Sequence, residues 1–305
     1  MVRVWDDDSE RGRLKAEEYG APFEPDLDAA IEACDSVVIC SENAHHHSLT
    51  LRAAAAGRHV LCEKPLAITV EDALEMVQVC AKAGVVLGTA FPVRQSGAVF
   101  AMRDAVQDGR LGRVLMIRGT NRGTNPGGWF VEKSLSGGGA VTDHTVHVAD
   151  AIRFITGEEI TTVYAEADTG FTPGLEVEDC GLLLMDLSGG GFVSLDPSWS
   201  RPNKSFPTWG DVTMQLSGTK GMASFDYGAE HTKYYSNTLV RAAQLNWGDD
   251  PDELMVLDFL QAVQEGRAPL ADGEDGLRAV EIVAAAHESI RTGQPVQVQH
   301  VGLPA

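Results

Sequence analysis

Residues 36–62, SVVICSENAHHHSLTLRAAAAGRHVLC, hold the pattern that decides the fold. Val37 to Cys40 is wholly apolar, as strands buried on both faces of a parallel sheet tend to be, and the strand is expected over Ser36 to Cys40. His47 to Ala56 has helix composition and stops at Gly57, and His59 to Cys62 returns to strand character. Strand, helix, strand in so short a span is a crossover unit, which makes the two strands parallel. Working outward, Val70 to Ala83 is a helix stopped by Gly84, and Val85 to Ala90 is a further strand. Towards the N-terminus, Val2 to Trp5 is a short strand that runs into Asp6-Asp7-Asp8. Ser9 to Tyr19 follows as a helix closed by Gly20, and Asp26 caps another that ends at Ala33.

The texture changes after residue 92. A helix (Ala98 to Asp108) and a strand (Val114 to Gly119) precede two glycine-rich stretches, Asn125-Pro126-Gly127-Gly128-Trp129 and Gly137-Gly138-Gly139. A helix runs on from the second stretch to Ile155. Strands without intervening helices come next: Thr162–Ala167, Cys180–Asp186, Phe192–Ser200, Val212–Ser217 and Met222–Phe225, with a hairpin turn at Ser188 to Gly191. Helices over Glu253–Glu265 and Asp275–Thr292 close the chain. The expected architecture is α/β: a Rossmann-type parallel sheet over residues 1–92, then an α+β domain over 93–305 with a large, mostly antiparallel sheet.

Composition narrows the function. The 305 residues carry 44 acids against 24 bases, a formal charge of -20. Such a field repels phosphate backbones and anionic lipid, so neither nucleic acid nor a membrane surface is an expected partner. Five cysteines without a C-x-x-C pair are expected as buried, reduced thiols of a cytoplasmic protein. No apolar run reaches the length of a membrane span, and no secretory signal is visible at the start.

Two segments carry a family resemblance. Residues 37–46 running on into Ala56-Gly57-Arg58-His59-Val60-Leu61-Cys62-Glu63-Lys64-Pro65-Leu66 resemble the later Rossmann strands of the Gfo/Idh/MocA dehydrogenases. Gly137-Gly138-Gly139 followed by Asp143 and His147 resembles that family's active-site helix, and residues 272–278 resemble the turn before its last helix. Asp143, His147 and Asp150 stand at i, i+4 and i+7, on one helix face. The family's opening strand and Gly-x-Gly-x-x-Gly turn have no counterpart here. The resemblance therefore implies an N-terminally truncated Rossmann domain lacking its first strand, with Val2 to Asp6 matching the second.

What the resemblance implies is an NAD(P)-dependent dehydrogenase of sugars, inositols or related polyols. Lys64, Asp143 and His147 are its expected catalytic residues: His147 the base, Asp143 its orienting partner, Lys64 a donor to the reacting oxygen. Asp6, Ser41, Asn43, His46, Glu63 and Lys64 are expected at the cofactor, and the acidic Asp6-Asp7 pair favours NAD over NADP. Arg94, Trp129, His144 and Asp150 are expected at the substrate, and a homodimer or homotetramer is expected in solution. A metal site among His45, His46, His47, His144 and His147 is a rival reading, with no metal the preferred expectation. Redox-assisted glycoside cleavage and a non-catalytic relic are the other two alternatives.

Overall fold

The computed structural model describes residues 2–227, 231–236, 241–246 and 248–302. Its first unit opens with α1 (Ser9–Glu18) and α2 (Leu27–Glu32), then alternates β1 (Ser36–Ile39), α3 (Asn43–Ala55), β2 (His59–Cys62), α4 (Val70–Ala83) and β3 (Leu87–Thr89). The strands pair in parallel in the order β1-β2-β3. α4 shows why the sequence folds this way. Thr69 caps it by accepting from the Asp72 N–H at 3.1 Å, worth about 1 kcal/mol. Ala73, Met76 and Cys80, on one face, are buried against the strands, and Gly84 ends the helix at φ +68°.

Val2 to Trp5 does not join this sheet, contrary to the sequence expectation. Val4 makes one isolated parallel bridge to Phe23, its N–H donating to Pro22 O and its carbonyl accepting from Glu24 N. No strand of the described residues lies between this segment and β1, so nothing propagates the pairing. β1 is the outer strand there, and Val38 is 54% exposed. Cys62 and Cys80 are buried as expected, whereas Cys40, at the end of β1, is exposed.

The second unit runs through α5 (Gly97–Gln107), β4 (Val114–Gly123), α6 (Lys133–Ser136), α7 (Ala140–Thr156), β5 (Ile160–Asp168), β6 (Cys180–Leu187), β7 (Phe192–Asp196), β8 (Gly210–Gly218) and β9 (Met222–Asp226). A hairpin of β10 (His231–Ser236) and β11 (Arg241–Asn246), which sequence reasoning left unread, leads to α8 (Pro251–Glu265), α9 (Gly273–Thr292) and β12 (Val296–Gln297). Seven strands form one mixed sheet, β12-β5-β6-β7-β4-β8-β9, antiparallel except between β4 and β7. β7 stops at Asp196, short of the expected Ser200, because Pro197 has no N–H to continue the ladder.

One face of this sheet is covered by helices, with α7 central. Val148 and Ile152 of α7 are fully buried in the same core as Ile117, Leu195 and Leu216 of the sheet. α9 ties the units together. Its Leu277 and Val280 pack among Leu66, Met76 and Leu87 of the first core, while Ile282, Ala285 and Ala286 belong to the second. The two cores, which lie on either side of the 3-10 turn Pro92–Gln95 in sequence, are thus bridged in space by the last long helix.

Candidate active site

The Gly137-Gly138-Gly139 run sets where α7 begins. Gly137 closes α6 in the left-handed region at φ +82°. A Cβ on Gly139 would lie 1.9 Å from the Glu178 carbonyl oxygen, so only glycine lets the chain pass there. In place of a side-chain cap within the helix, Glu178 supplies one from outside. Its carboxylate accepts from the N–H groups of Gly139 (2.9 Å) and Val141 (3.2 Å), and its carbonyl accepts from Ala140 N. The first turn of α7 is thereby aimed at the turn that follows β2.

There the two units meet. Lys64 Nζ donates to Asp143 Oδ1 at 2.5 Å and to the Asp143 carbonyl oxygen at 3.3 Å. Burial alone would push the Asp143 carboxyl up, but the Lys64 ammonium holds it well below the usual carboxylate range. His147, one turn further along α7, is 9% exposed and edge-on to Phe91, with ring centroids 6.2 Å apart. Burial pushes its imidazole well below the ordinary 6.5; the Lys64 charge acts in the same direction and Asp143 partly opposes it. His147 is therefore neutral at pH 7. Its Nδ1 is buried without a hydrogen-bond partner among the described residues, so no protein group on that nitrogen fixes the tautomer. An ammonium, a carboxylate and a neutral imidazole thus lie within electrostatic reach of one another.

The expected cofactor residues divide. Glu63, half-buried beside Lys64, accepts only the adjacent Lys64 N–H (3.2 Å) among the described residues. Burial pushes its carboxyl up, and Lys64 offsets part of that. With Lys64 it sets a carboxylate acceptor beside an ammonium donor. Ser41 Oγ donates to the Glu42 carbonyl at 3.3 Å. Asn43 and His46 lie inside α3, which begins at Asn43 rather than at the expected His47. Asn43 Nδ2 donates across the units to Ser136 O (2.8 Å). His46 is fully buried, with Nδ1 2.9 Å from Pro65 O and Nε2 3.1 Å from Ser41 O. Both act as braces holding the loops after β1 and β2 in place. Asp6 is paired with Arg11, which donates to both of its carboxylate oxygens (2.7 and 2.8 Å) and to Asp7 (2.8 Å).

The expected substrate residues also move. Arg94 and Asp150 are 4% and 1% exposed, and bond each other through two contacts, one of them Arg94 Nε to Asp150 Oδ2 at 3.0 Å. Arg94 also donates to the Leu270 carbonyl oxygen and to Asp275 (2.8 Å). They form a buried clamp between the 3-10 turn Pro92–Gln95, α7 and α9. Trp129, half-buried, stacks on Phe130 with centroids 3.8 Å apart. His144 is 5% exposed; its Nδ1 lies 2.8 Å from Pro197 O and its Nε2 3.3 Å from Asp143 Oδ2. Among the described residues no three His, Cys, Asp or Glu side chains gather as a metal site. Trp199, whose indole donates to Asp143 Oδ2 at 3.1 Å, was missed. It lies 56 residues away in sequence, and no local spacing marks it.

The parallel three-stranded unit and the mixed sheet with its buried central helix define a two-part oxidoreductase, and comparison with known proteins agrees. Residues 1–91 match the oxidoreductase family with an NAD-binding Rossmann fold, and residues 99–224 match the GFO/IDH/MocA C-terminal domain. The chain is 31% identical to 1,5-anhydro-D-fructose reductase of Ensifer adhaerens, over 98% of this chain and 91% of that one. It is 30% identical to D-glucoside 3-dehydrogenase of Escherichia coli (strain K12), over 98% and 90%. The crystal structure of GenD2 from gentamicin A biosynthesis in complex with NAD superimposes with a TM-score of 0.89 at 26% identity, covering 98% of this chain and 89% of that one. The chain belongs to the Gfo/Idh/MocA family of oxidoreductases.

Proposed function

We propose that this protein oxidises a secondary hydroxyl of a sugar, inositol or related polyol, with NAD as hydride acceptor. The observation that carries the reading is the Lys64–Asp143 ion pair beside a buried, neutral His147. His147 takes the hydroxyl proton at a ring nitrogen. Lys64 donates to the same oxygen and steadies the alkoxide that develops as the proton leaves, and Asp143 holds Lys64 in place. Lys64 and Glu63 would hold the nicotinamide ring, which would supply the hydride acceptor. The similarity to a D-glucoside 3-dehydrogenase and a 1,5-anhydro-D-fructose reductase supports a ring-shaped sugar as the substrate class. NAD is favoured over NADP because Asp6 and Asp7 share Arg11, so the segment that the family resemblance sets at the adenosine ribose keeps a net negative charge that would repel a 2′-phosphate. Five free thiols suit the reducing cytoplasm.

The test is a panel of aldoses, glycosides and inositols with NAD or NADP, followed by NAD(P)H absorbance. Saturable NADH formation with at least one free sugar or polyol is expected; release of an aglycone without net NADH would move the reading to redox-assisted cleavage. We further propose a homo-oligomer joined through the open face of the large sheet. Leu182, Leu184 and Phe192 share that face and are 52%, 47% and 52% exposed. Light scattering should give a mass at least twice 32.6 kDa, and Leu184→Glu should shift it towards the monomer.

A further inference from the structure

Asp143 uses both of its oxygens. Oδ1 takes the Lys64 ammonium, and Oδ2 takes the Trp199 indole N–H at 3.1 Å. Trp199 is 2% exposed and held from two sides. Its backbone N–H donates to the Asp179 carbonyl at 2.8 Å, and its ring shares a small core with Ala140 and Val177. Asp179 is fully buried, and its carboxylate gathers the N–H groups of Gly170, Phe171 and Thr172. The indole therefore has a rigid footing. His144 cannot replace it. Its Nδ1 faces the Pro197 carbonyl, which only accepts, so a neutral ring keeps its proton there and turns a lone pair towards Asp143. Among the described residues, Trp199 is the one uncharged side chain that donates to this carboxylate.

We infer that Trp199 is a positioning residue for the proposed oxidation: its indole N–H fixes the plane of the Asp143 carboxylate and, through it, the place of Lys64. The inference rests on the dehydrogenase reading of the site. A lysine on a flexible stem cannot by itself stop a carboxylate from turning, whereas a rigid donor on the second oxygen does. With that donor gone, Oδ2 is left buried against a lone pair. Asp143 then takes up a proton more readily, and its hold on Lys64 loosens.

Trp199→Phe removes the N–H and keeps an aromatic ring. With the best substrate of the panel, kcat should fall by about 10- to 100-fold while the KM for NAD changes by less than about 2-fold. A variant that loses melting temperature but keeps kcat per folded molecule would overturn the inference. A second measurement does not depend on turnover or on folding of that variant. Among the five tryptophan indoles of the wild-type protein, the N–H resonance assigned to Trp199 should lie downfield, resist solvent exchange and move upfield in Asp143→Asn. A resonance indifferent to Asp143→Asn overturns the proposal whether or not any sugar is oxidised. A resonance that responds while the whole panel stays silent supports the indole–carboxylate bond and overturns the dehydrogenase reading alone.

Discussion

His147 is an imidazole kept from the roles histidines usually take in a core. His46 and His144 both have ring nitrogens against carbonyl oxygens, and His144 also faces a carboxylate; His147 has a buried Nδ1 with no partner. Burial and the nearby ammonium keep it neutral well below pH 6.5, so the base form persists into mild acid. His147→Ala should lower kcat by about 10³-fold or more with NAD affinity nearly intact; stopped-flow turnover and calorimetry with NAD measure the two effects. In the wild type, the acid limb assigned to His147 should fall below 6.5, because a depressed imidazole gains its proton only at lower pH. That Lys64 would lie near Asp143 and His147 was legible from motif and spacing. Arg94 and Asp150 were legible as charged residues near the site, but their pairing was not. An Asp on the same helix face as His147 is expected at the cleft until an arginine from another element is seen to cover it.

At the scale of the element, α7 is held from both ends. Glu178 secures its N-terminus, and Arg94, with Arg153 and Asp275, secures its middle and C-terminal part against α9. Burial pushes the Asp150 carboxyl up to about 6 despite Arg94, and the two carboxylates around Arg94 favour its charged form. Removing one partner leaves the other buried and unmatched. Arg94→Met or Asp150→Asn should therefore cost about 3–5 kcal/mol in urea unfolding. Arg52→Ala, which breaks the exposed Arg52–Asp28 pair, should leave the midpoint nearly unchanged. Equal effects of the buried and the exposed pair would refute the clamp. The glycines before α7 were visible in the sequence, but the carbonyl that forbids a Cβ on Gly139 belongs to Glu178, 39 residues away.

Across the whole molecule, stability should depend on acid in a definite direction. His46, His144, His147 and His287 are all lowered below 6.5 by burial. Below that pH the unfolded chain binds protons that the folded chain refuses. Stability is then lost as pH falls from 6.5 towards each folded value, by up to ~1.4 kcal/mol per pH unit for each ring. Asp143, also lowered, adds its loss below 3.8. Asp150 acts in the opposite sense between about 6 and 3.8, since it takes up its proton first in the fold. Urea midpoints at pH 7.5, 6.5, 5.5 and 4.5 should fall least over the first step and more steeply over the next two. A midpoint that rises on acidification below 6.5 would contradict the buried neutral histidines.

The sequence by itself determined the periodicities, the turns and the motif that joins a lysine to an Asp–His helix, because these are set by neighbours within a few residues along the chain. It determined the α/β class and the mostly antiparallel second sheet for the same reason. Only the tertiary structure decided that Val2 to Trp5 stays outside the sheet, that Asn43 and His46 brace loops, that Arg94 meets Asp150, and that an indole from beyond β7 completes the surroundings of Asp143. Each of these is a pairing of buried polar groups from distant segments. Such pairings are chosen by which donors and acceptors packing excludes from water, and that exclusion exists only once the chain has closed around them.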